Sequence, residues 1–354
     1  MSRFLSAKYN NLEPYTPGEQ PKDIKYIKLN TNESPFPPSQ KAVEAASEAA
    51  GTLQLYPDPE CTALNRRLAE VYGLEPEQIL VTNGSDEILN FAFMAFCDEL
   101  HGVAYPEISY GFYQVFAAVN NIPALEIPLR YDFSVDISQY FGLGRTIVIA
   151  NPNAPTGLAL SREEIERILI NNPDNIVVID EAYVDFGAES CVPLINKYDN
   201  LLVTMTYSKS RSMAGARVGF GMGSREIIAD LNTIKYSTNP YNINRMTMAA
   251  AIGALEDEEY TRRNCEEIIK NREYTARELK ELGFEVLPSK TNFLFARHNR
   301  LDGGGLYLNL KKNGILIRHF SKPALEQYNR ITIGTREQMD AFLVAVKREL
   351  EAAK

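Results

Sequence analysis

Between residues 201 and 220 the chain reads LLVTMTYSKSRSMAGARVGF, an apolar run of strand length that ends in Thr206, Ser208 and Lys209, with Arg217 shortly after. Hydroxyls and a planar guanidinium are groups that grip a phosphate. A lysine amine presented beside them can attack a carbonyl carbon and form a Schiff base. A small molecule carrying both a carbonyl and a phosphate, such as pyridoxal 5'-phosphate, would use the whole set. A lone lysine is usually a solvated surface group, so the rest of the chain must supply the case.

A second apolar run, 176–179, ends in Asp180. A carboxylate delivered by a buried strand needs a cationic partner. A pyridinium nitrogen would be one, and keeping it protonated makes the ring an electron sink. Tyr183, three residues on, could donate to a phenolic oxygen of the same ring. Upstream, Gly84-Ser85-Asp86 follows a strand pattern and opens a helix, where free backbone N–H groups suit an anion. Each member has a plainer reading: Asp180 as an ion-paired or capping acid, Ser85 or Asp86 as an ordinary N-cap.

The elements that must position these residues alternate. Apolar segments of strand length fall at 79–82, 102–105, 124–127, 146–150, 176–179 and 201–206, with another at 217–220. Helical patterns at 39–50, 60–72, 88–96 and 111–119, and one after Ser161, lie between them. That rhythm predicts a mostly parallel sheet covered on both faces, with ligands beyond the carboxyl ends of its strands. After residue 243 the rhythm changes to helices at 244–255 and 258–282. Short strands at 284–287, 292–296, 315–318 and 330–333 follow, with helices near 307–313 and 337–353, which predicts a second, smaller α/β domain. Residues 1–38, rich in proline, read as an irregular arm. Gly219, Gly221 and Gly223 have the wrong spacing for a dinucleotide fingerprint.

A net charge of −9 argues against nucleic acid or an anionic membrane as a partner, because either needs a basic surface. The four cysteines, Cys61, Cys97, Cys191 and Cys265, lie far apart with no C-x-x-C, so neither a metal site nor a disulfide framework is expected, and a reducing cytoplasm is. No apolar run has the length of a membrane span, and residues 1–10 lack the apolar core of a secretory leader.

The motifs follow one order: Gly84-Ser85-Asp86, NPNAPTG at 151–157, DEAY at 180–183, Ser208-Lys209, Arg217 and Arg330. In that order they resemble the class I/II aminotransferases of fold type I along essentially the whole chain. PYTPG at 14–18, LNTNESPFP at 29–37, DEAYVDF at 180–186 and RITIGT at 330–335 are most similar to the histidinol-phosphate branch of that family. The resemblance implies an α/β fold of the pyridoxal-phosphate transferase type, with an arm at 1–38, a large cofactor-binding domain at 39–245 and a small domain at 246–354. It also implies transamination between L-histidinol phosphate and 2-oxoglutarate in histidine biosynthesis. An aromatic amino acid aminotransferase, an enzyme like threonine-phosphate decarboxylase and a silent cofactor-binding regulator stay open beside it.

Carried over by position, the resemblance implies that Lys209 bonds to the cofactor's aldehyde carbon and later moves the substrate proton. Asp180 would meet the ring nitrogen, Tyr183 the phenolic oxygen and Tyr110 the ring face. Ser85, Asp86, Thr206, Ser208 and Arg217 would surround the phosphate, and Tyr56 would reach the phosphate in a neighbouring subunit of a homodimer with shared sites. Arg330 would hold a substrate carboxylate. Arg318, Tyr15, Asn30 and the partner subunit's Tyr241 would complete the substrate pocket. The family usually has asparagine immediately before Pro-Thr-Gly, and this chain has Ala154. Either Asn153 takes over its contact with the phenolic oxygen or Tyr183 acts alone. His101, His298 and His319 match no catalytic position.

Overall fold

A computed structural model describes residues 2–10 and 12–353. The arm carries a three-residue strand, β1 (Ile27–Leu29), and leads to helices α1 (Gln40–Ala49) and α2 (Thr62–Tyr72). An alternating stretch follows: β2 (Ile79–Thr82), α3 (Ser85–Phe96), β3 (Val103–Pro106), α4 (Phe112–Val119), β4 (Ala124–Ile127), β5 (Thr146–Ala150) and α5 (Arg162–Ile170). Then come β6 (Val177–Asp180), β7 (Leu201–Thr206), β8 (Gly219–Met222), α6 (Arg225–Thr238) and α7 (Arg245–Leu255). The remainder is α8 (Glu258–Glu281), β9 (Glu285–Val286), β10 (Phe293–Arg297), α9 (Gly303–Lys312), β11 (Ile315–His319), β12 (Asn329–Thr332) and α10 (Arg336–Ala352).

Seven strands form one sheet in the order β2-β8-β7-β6-β5-β3-β4, and only β8 runs against its neighbours. Its inner strands are apolar because helices cover both faces. Alternate residues of β6 divide accordingly: Val177 and Ile179 join the core under α2, α5 and α7, while Val178 joins the core under α3, α4 and α6. The carboxyl ends of β2, β3, β5, β6 and β7 therefore lie along one edge. The other five strands form a sheet in the order β1-β11-β12-β10-β9, with the arm's β1 parallel to β11 at one edge. Helices α8, α9 and α10 pack a third apolar core against it through Ile268, Leu310, Phe342 and Val346.

Local chemistry explains most boundaries. The Ser39, Ser161, Ser224 and Thr335 side chains each accept a backbone N–H at a helix start, and Gly73 at φ +67° ends α2. Where the structure departs from the sequence pattern, the reason is visible. Strand β8 begins at Gly219 rather than at 217, because Arg217 adopts φ +56°, outside the extended region. Helix α9 begins at Gly303 rather than near 307. Its first turn is three glycines, which read as a loop, and it forms because Asp302 accepts from the Gly305 N–H at 2.6 Å. Helix α6 has no counterpart in the expected elements, since its apolar set is confined to Ile227, Ile228, Leu231 and Ile234 among polar residues. No helix among the described residues is long and apolar enough to cross a membrane.

Strand β8 lies against the turn that opens α3. A Cβ added at Gly219 would stand 2.3 Å from the Ser85 backbone nitrogen and 2.5 Å from the Gly84 carbonyl carbon. Neither can yield without moving the helix start. Gly219→Ala should therefore cost about 2 kcal/mol or more in denaturant unfolding. Gly51→Ala, with nothing within 4 Å of its added carbon, should leave stability nearly unchanged. Equal behaviour of the two variants would show that β8 and α3 are not in such close approach.

Candidate active site

The edge where the parallel strands end opens into two adjoining cavities, of about 200 and 490 Å³. Ser85, Asp86, Asp180, Thr206, Ser208 and Arg217 line the smaller. Tyr15, Asn30, Arg318 and Arg330 line the larger. Thr31, Tyr110, Ala154, Tyr183 and Lys209 line both and so form the seam between them.

Asp180 closes β6 and is 4% exposed. Its Oδ2 accepts from the Tyr113 hydroxyl at 2.9 Å, and its Oδ1 from the Ala182 N–H at 3.3 Å and the Thr204 hydroxyl at 3.4 Å. No lysine or arginine among the described residues pairs with it. Burial pushes its pKa up to about 6, with the Tyr113 hydrogen bond as the main opposing influence. A buried acid held by neutral donors alone suits a cation supplied by a ligand.

Past the end of β7, Ser208 and Lys209 line the same small cavity. Ser208 Oγ lies 3.0 Å from Thr206 Oγ1 and receives an Arg217 N–H at 3.3 Å. The Arg217 guanidinium also donates to Asp86 Oδ2 at 3.2 Å and crosses the N-terminus of α3. Glycine is favoured opposite it, since Gly84 sits at φ +78° and an added Cβ would also displace Arg217 Nη2, 2.5 Å away. Two hydroxyls, a guanidinium and a helix N-terminus make a phosphate cradle. Lys209 Nζ has one distant partner, the Thr31 carbonyl at 3.5 Å, and stands 5.8 Å from the Tyr183 ring centre. The residues fit pyridoxal phosphate: a cradle for its phosphate, a buried acid without a protein cation and an amine at the seam all line one cavity.

The Tyr110 hydroxyl donates to Asp86 at 2.7 Å, and burial raises its pKa. In the larger cavity Arg330 reaches the Asn30 carbonyl at 3.1 Å, while its Nε is buried without a partner. Burial lowers the Arg330 pKa, and among the described residues no carboxylate pairs with it. Arg318 donates to the Thr16 and Pro17 carbonyls of the arm, both at 3.4 Å. Tyr15 stacks on Phe112 with ring centres 4.3 Å apart, and burial raises its pKa against the pull of Arg330.

Three expected residues stand elsewhere. The Asn153 amide is spent on the Ile108 carbonyl and the Thr156 hydroxyl, each at 3.0 Å, and on the Ser109 hydroxyl at 2.8 Å. It lines neither cavity, whereas Ala154 lines both. Of the two alternatives, this geometry favours Tyr183 acting alone, because the Asn153 amide is spent on protein partners and Ala154 is the neighbour that lines the cavities. Tyr56 and Tyr241 also lie outside both cavities. They stack on each other at 4.6 Å on the surface, 78% and 44% exposed, and Arg245 fixes the Tyr56 carbonyl at 2.9 Å. Two site residues were not anticipated, Tyr113 and Asn32, the second of which donates to the Tyr183 hydroxyl at 2.9 Å. The three-residue spacing of Tyr110 and Tyr113 across the start of α4 was the available signal for the first.

Residues 24–346 match the model of the family described as aminotransferase class I and II. A histidinol-phosphate aminotransferase of Brachyspira hyodysenteriae is 50% identical over 98% of this chain and 99% of its own. One from Acinetobacter baumannii is 48% identical over 98% of each. Among solved structures, the histidinol-phosphate aminotransferase of Sinorhizobium meliloti in complex with pyridoxal-5'-phosphate superposes with a TM-score of 0.85 at 25% identity, over 93% of this chain and 92% of that one. The Clostridium acetobutylicum enzyme of the same name gives 0.83 at 26% identity, over 91% and 98%. With its lysine, acid and phosphate cradle on one fold type I sheet edge, the chain belongs to the class I and II aminotransferases, in their histidinol-phosphate aminotransferase group.

Proposed function

We propose that this chain binds pyridoxal 5'-phosphate and transfers the amino group of L-histidinol phosphate to 2-oxoglutarate, in histidine biosynthesis. The observation that carries the reading is one small cavity holding both Lys209 and a buried Asp180 that pairs with no protein cation among the described residues. Near full-length identity to histidinol-phosphate aminotransferases supports the substrate. When bound, pyridoxal phosphate supplies an aldehyde that takes up the amino group and a protonated ring that draws electrons from the breaking C–H bond. Asp180 keeps the ring nitrogen charged. Ser208, Thr206, Arg217 and the first N–H groups of α3 hold the phosphate, and Tyr110 covers the ring face. With the cofactor bound, Lys209 Nζ would act as the base that takes the proton from the substrate's Cα and delivers it to the carbon that carried the cofactor's aldehyde.

Histidinol phosphate carries a phosphate monoester and glutamate two carboxylates. Arg330 and Arg318, neither held in an ion pair among the described residues, suit both kinds of anion, and Tyr15 and Asn30 flank them. Tyr56 and Tyr241 are exposed together on one surface patch, as residues lent to a second subunit's cavity would be. We read the assembly as a homodimer with shared sites. A reducing cytoplasm fits the four cysteines, all free thiols.

Borohydride treatment of the coloured protein should fix the cofactor to Lys209 alone, and Lys209→Ala should lower turnover by about three orders of magnitude or more. Label on another lysine ends the assignment. Arg330→Ala should cut kcat/KM by about 10- to 100-fold for both substrates and leave cofactor affinity intact, since one charged hydrogen bond is at stake. Asp180 gives a pH-dependent signature. Its folded pKa of about 6 lies above the ordinary 3.8, so its ionisation weakens the cofactor-free fold as pH rises through that window. Asp180→Asn should then match wild type below pH 4 and gain roughly 3 kcal/mol of relative stability above pH 6 in cofactor-free protein. With cofactor bound the order should reverse, and a pH-independent difference would remove Asp180 from its role.

A further inference from the structure

The Tyr183 hydroxyl has one protein partner among the described residues, and it accepts rather than donates: Asn32 Nδ2 approaches its oxygen at 2.9 Å. The direction of that bond follows from Thr332. The Thr332 hydroxyl accepts the Asn32 backbone N–H at 3.0 Å and donates to Asn32 Oδ1 at 3.0 Å. Turning the amide over would leave the Thr332 proton without an acceptor, in a residue 2% exposed. The Asn32 carbonyl is fixed in turn by Asn292 Nδ2 at 3.0 Å. Asn32 itself is 1% exposed and sits at φ +56°, a conformation that asparagine and aspartate tolerate and most residues do not.

An oxygen that already accepts from an amide has its own proton free for another direction. Tyr183 lines both cavities, and its ring packs edge-on against Phe293 at 5.2 Å, which leaves the hydroxyl at the seam. Ala154 brings no polar group there, and the Asn153 amide is committed elsewhere. Tyr183 is therefore the hydroxyl donor at that part of the wall, and its usefulness depends on which way its proton points. We propose that Asn32 is a positioning residue that holds the Tyr183 O–H proton toward the cofactor's phenolic oxygen. Thr332, two residues from Arg330 on β12, holds the Asn32 amide in the required sense.

The proposal rests on the pyridoxal phosphate reading, and the test separates the two. Asn32→Asp keeps the shape, the tolerated backbone conformation and the Thr332 bond, but it replaces the donor facing Tyr183 with an acceptor. The Tyr183 proton then turns away from the ring. The readout is the pH midpoint of the visible absorbance change of cofactor-loaded protein. A phenolate that loses a hydrogen-bond donor is a stronger base, so the midpoint should rise by about one pH unit or more in Asn32→Asp, and by a similar amount in Tyr183→Phe. The double variant should rise no further than Tyr183→Phe. A shift that persists in full on the Tyr183→Phe background would mean that Asn32 acts through its charge or touches the cofactor itself, and would overturn the proposal. Thr332→Val gives a second route: it frees the amide to turn over and should shift the midpoint in the same direction, and an unchanged midpoint would also overturn it. Wild-type protein with no visible absorbance would instead remove the cofactor reading on which the experiment stands.

Discussion

An acid buried at the end of a parallel strand, with neutral donors and no cation of its own, is the constraint on which the rest depends. Left alone, Asp180 is costly to ionise, and the hydrogen bonds from Tyr113, Ala182 and Thr204 only moderate that cost. Everything nearby is consistent with a flat cationic ring meeting it. The neighbouring strand places Lys209 on the same cavity, the turn into α3 leaves its N–H groups free, and Gly84 and Gly219 let Arg217 and β8 come close enough to complete the cradle. The fold supplies the geometry through a general property of parallel sheets, whose carboxyl ends share one edge.

The second sheet serves the same edge from the other side. Strands β11 and β12 bring Arg318 and Arg330, and the arm is tied to them twice, by the pairing of β1 with β11 and by the carbonyls at Thr16, Pro17 and Asn30 that accept from the two guanidiniums. The proline-rich arm is thus part of the cavity wall. Its irregular backbone offers carbonyl groups that a regular strand would have spent on its neighbours.

Much of the site could be read from residue order because its members sit at the ends of apolar runs. Asp180 terminates a buried strand and Lys209 lies three residues past the end of another, and a polar residue in such a place stands out from its context. What stayed hidden has no such context. Asn32 and Tyr183 lie 151 residues apart, and Tyr113 and Asp180 lie 67 apart, so each pairing is visible only after folding. Asn153 and Ala154 differ only in which of two consecutive side chains faces the cavity, and spacing does not resolve that. Helix α6 was missed for its polar composition, and the first turn of α9 for its glycines, which fold as helix with Asp302 as their cap.

The two guanidiniums of the larger cavity rest on neutral main-chain oxygens and on no carboxylate among the described residues. On the proposed reading, an arriving anion would evict a weak occupant, and a departing one would hand the arginines back to a resting place already prepared. Capture and release would then be near-mirror events with little to break in either direction. A catalyst that must admit one anion, discharge it and admit a chemically different one in every cycle gains from such an easily reversed grip.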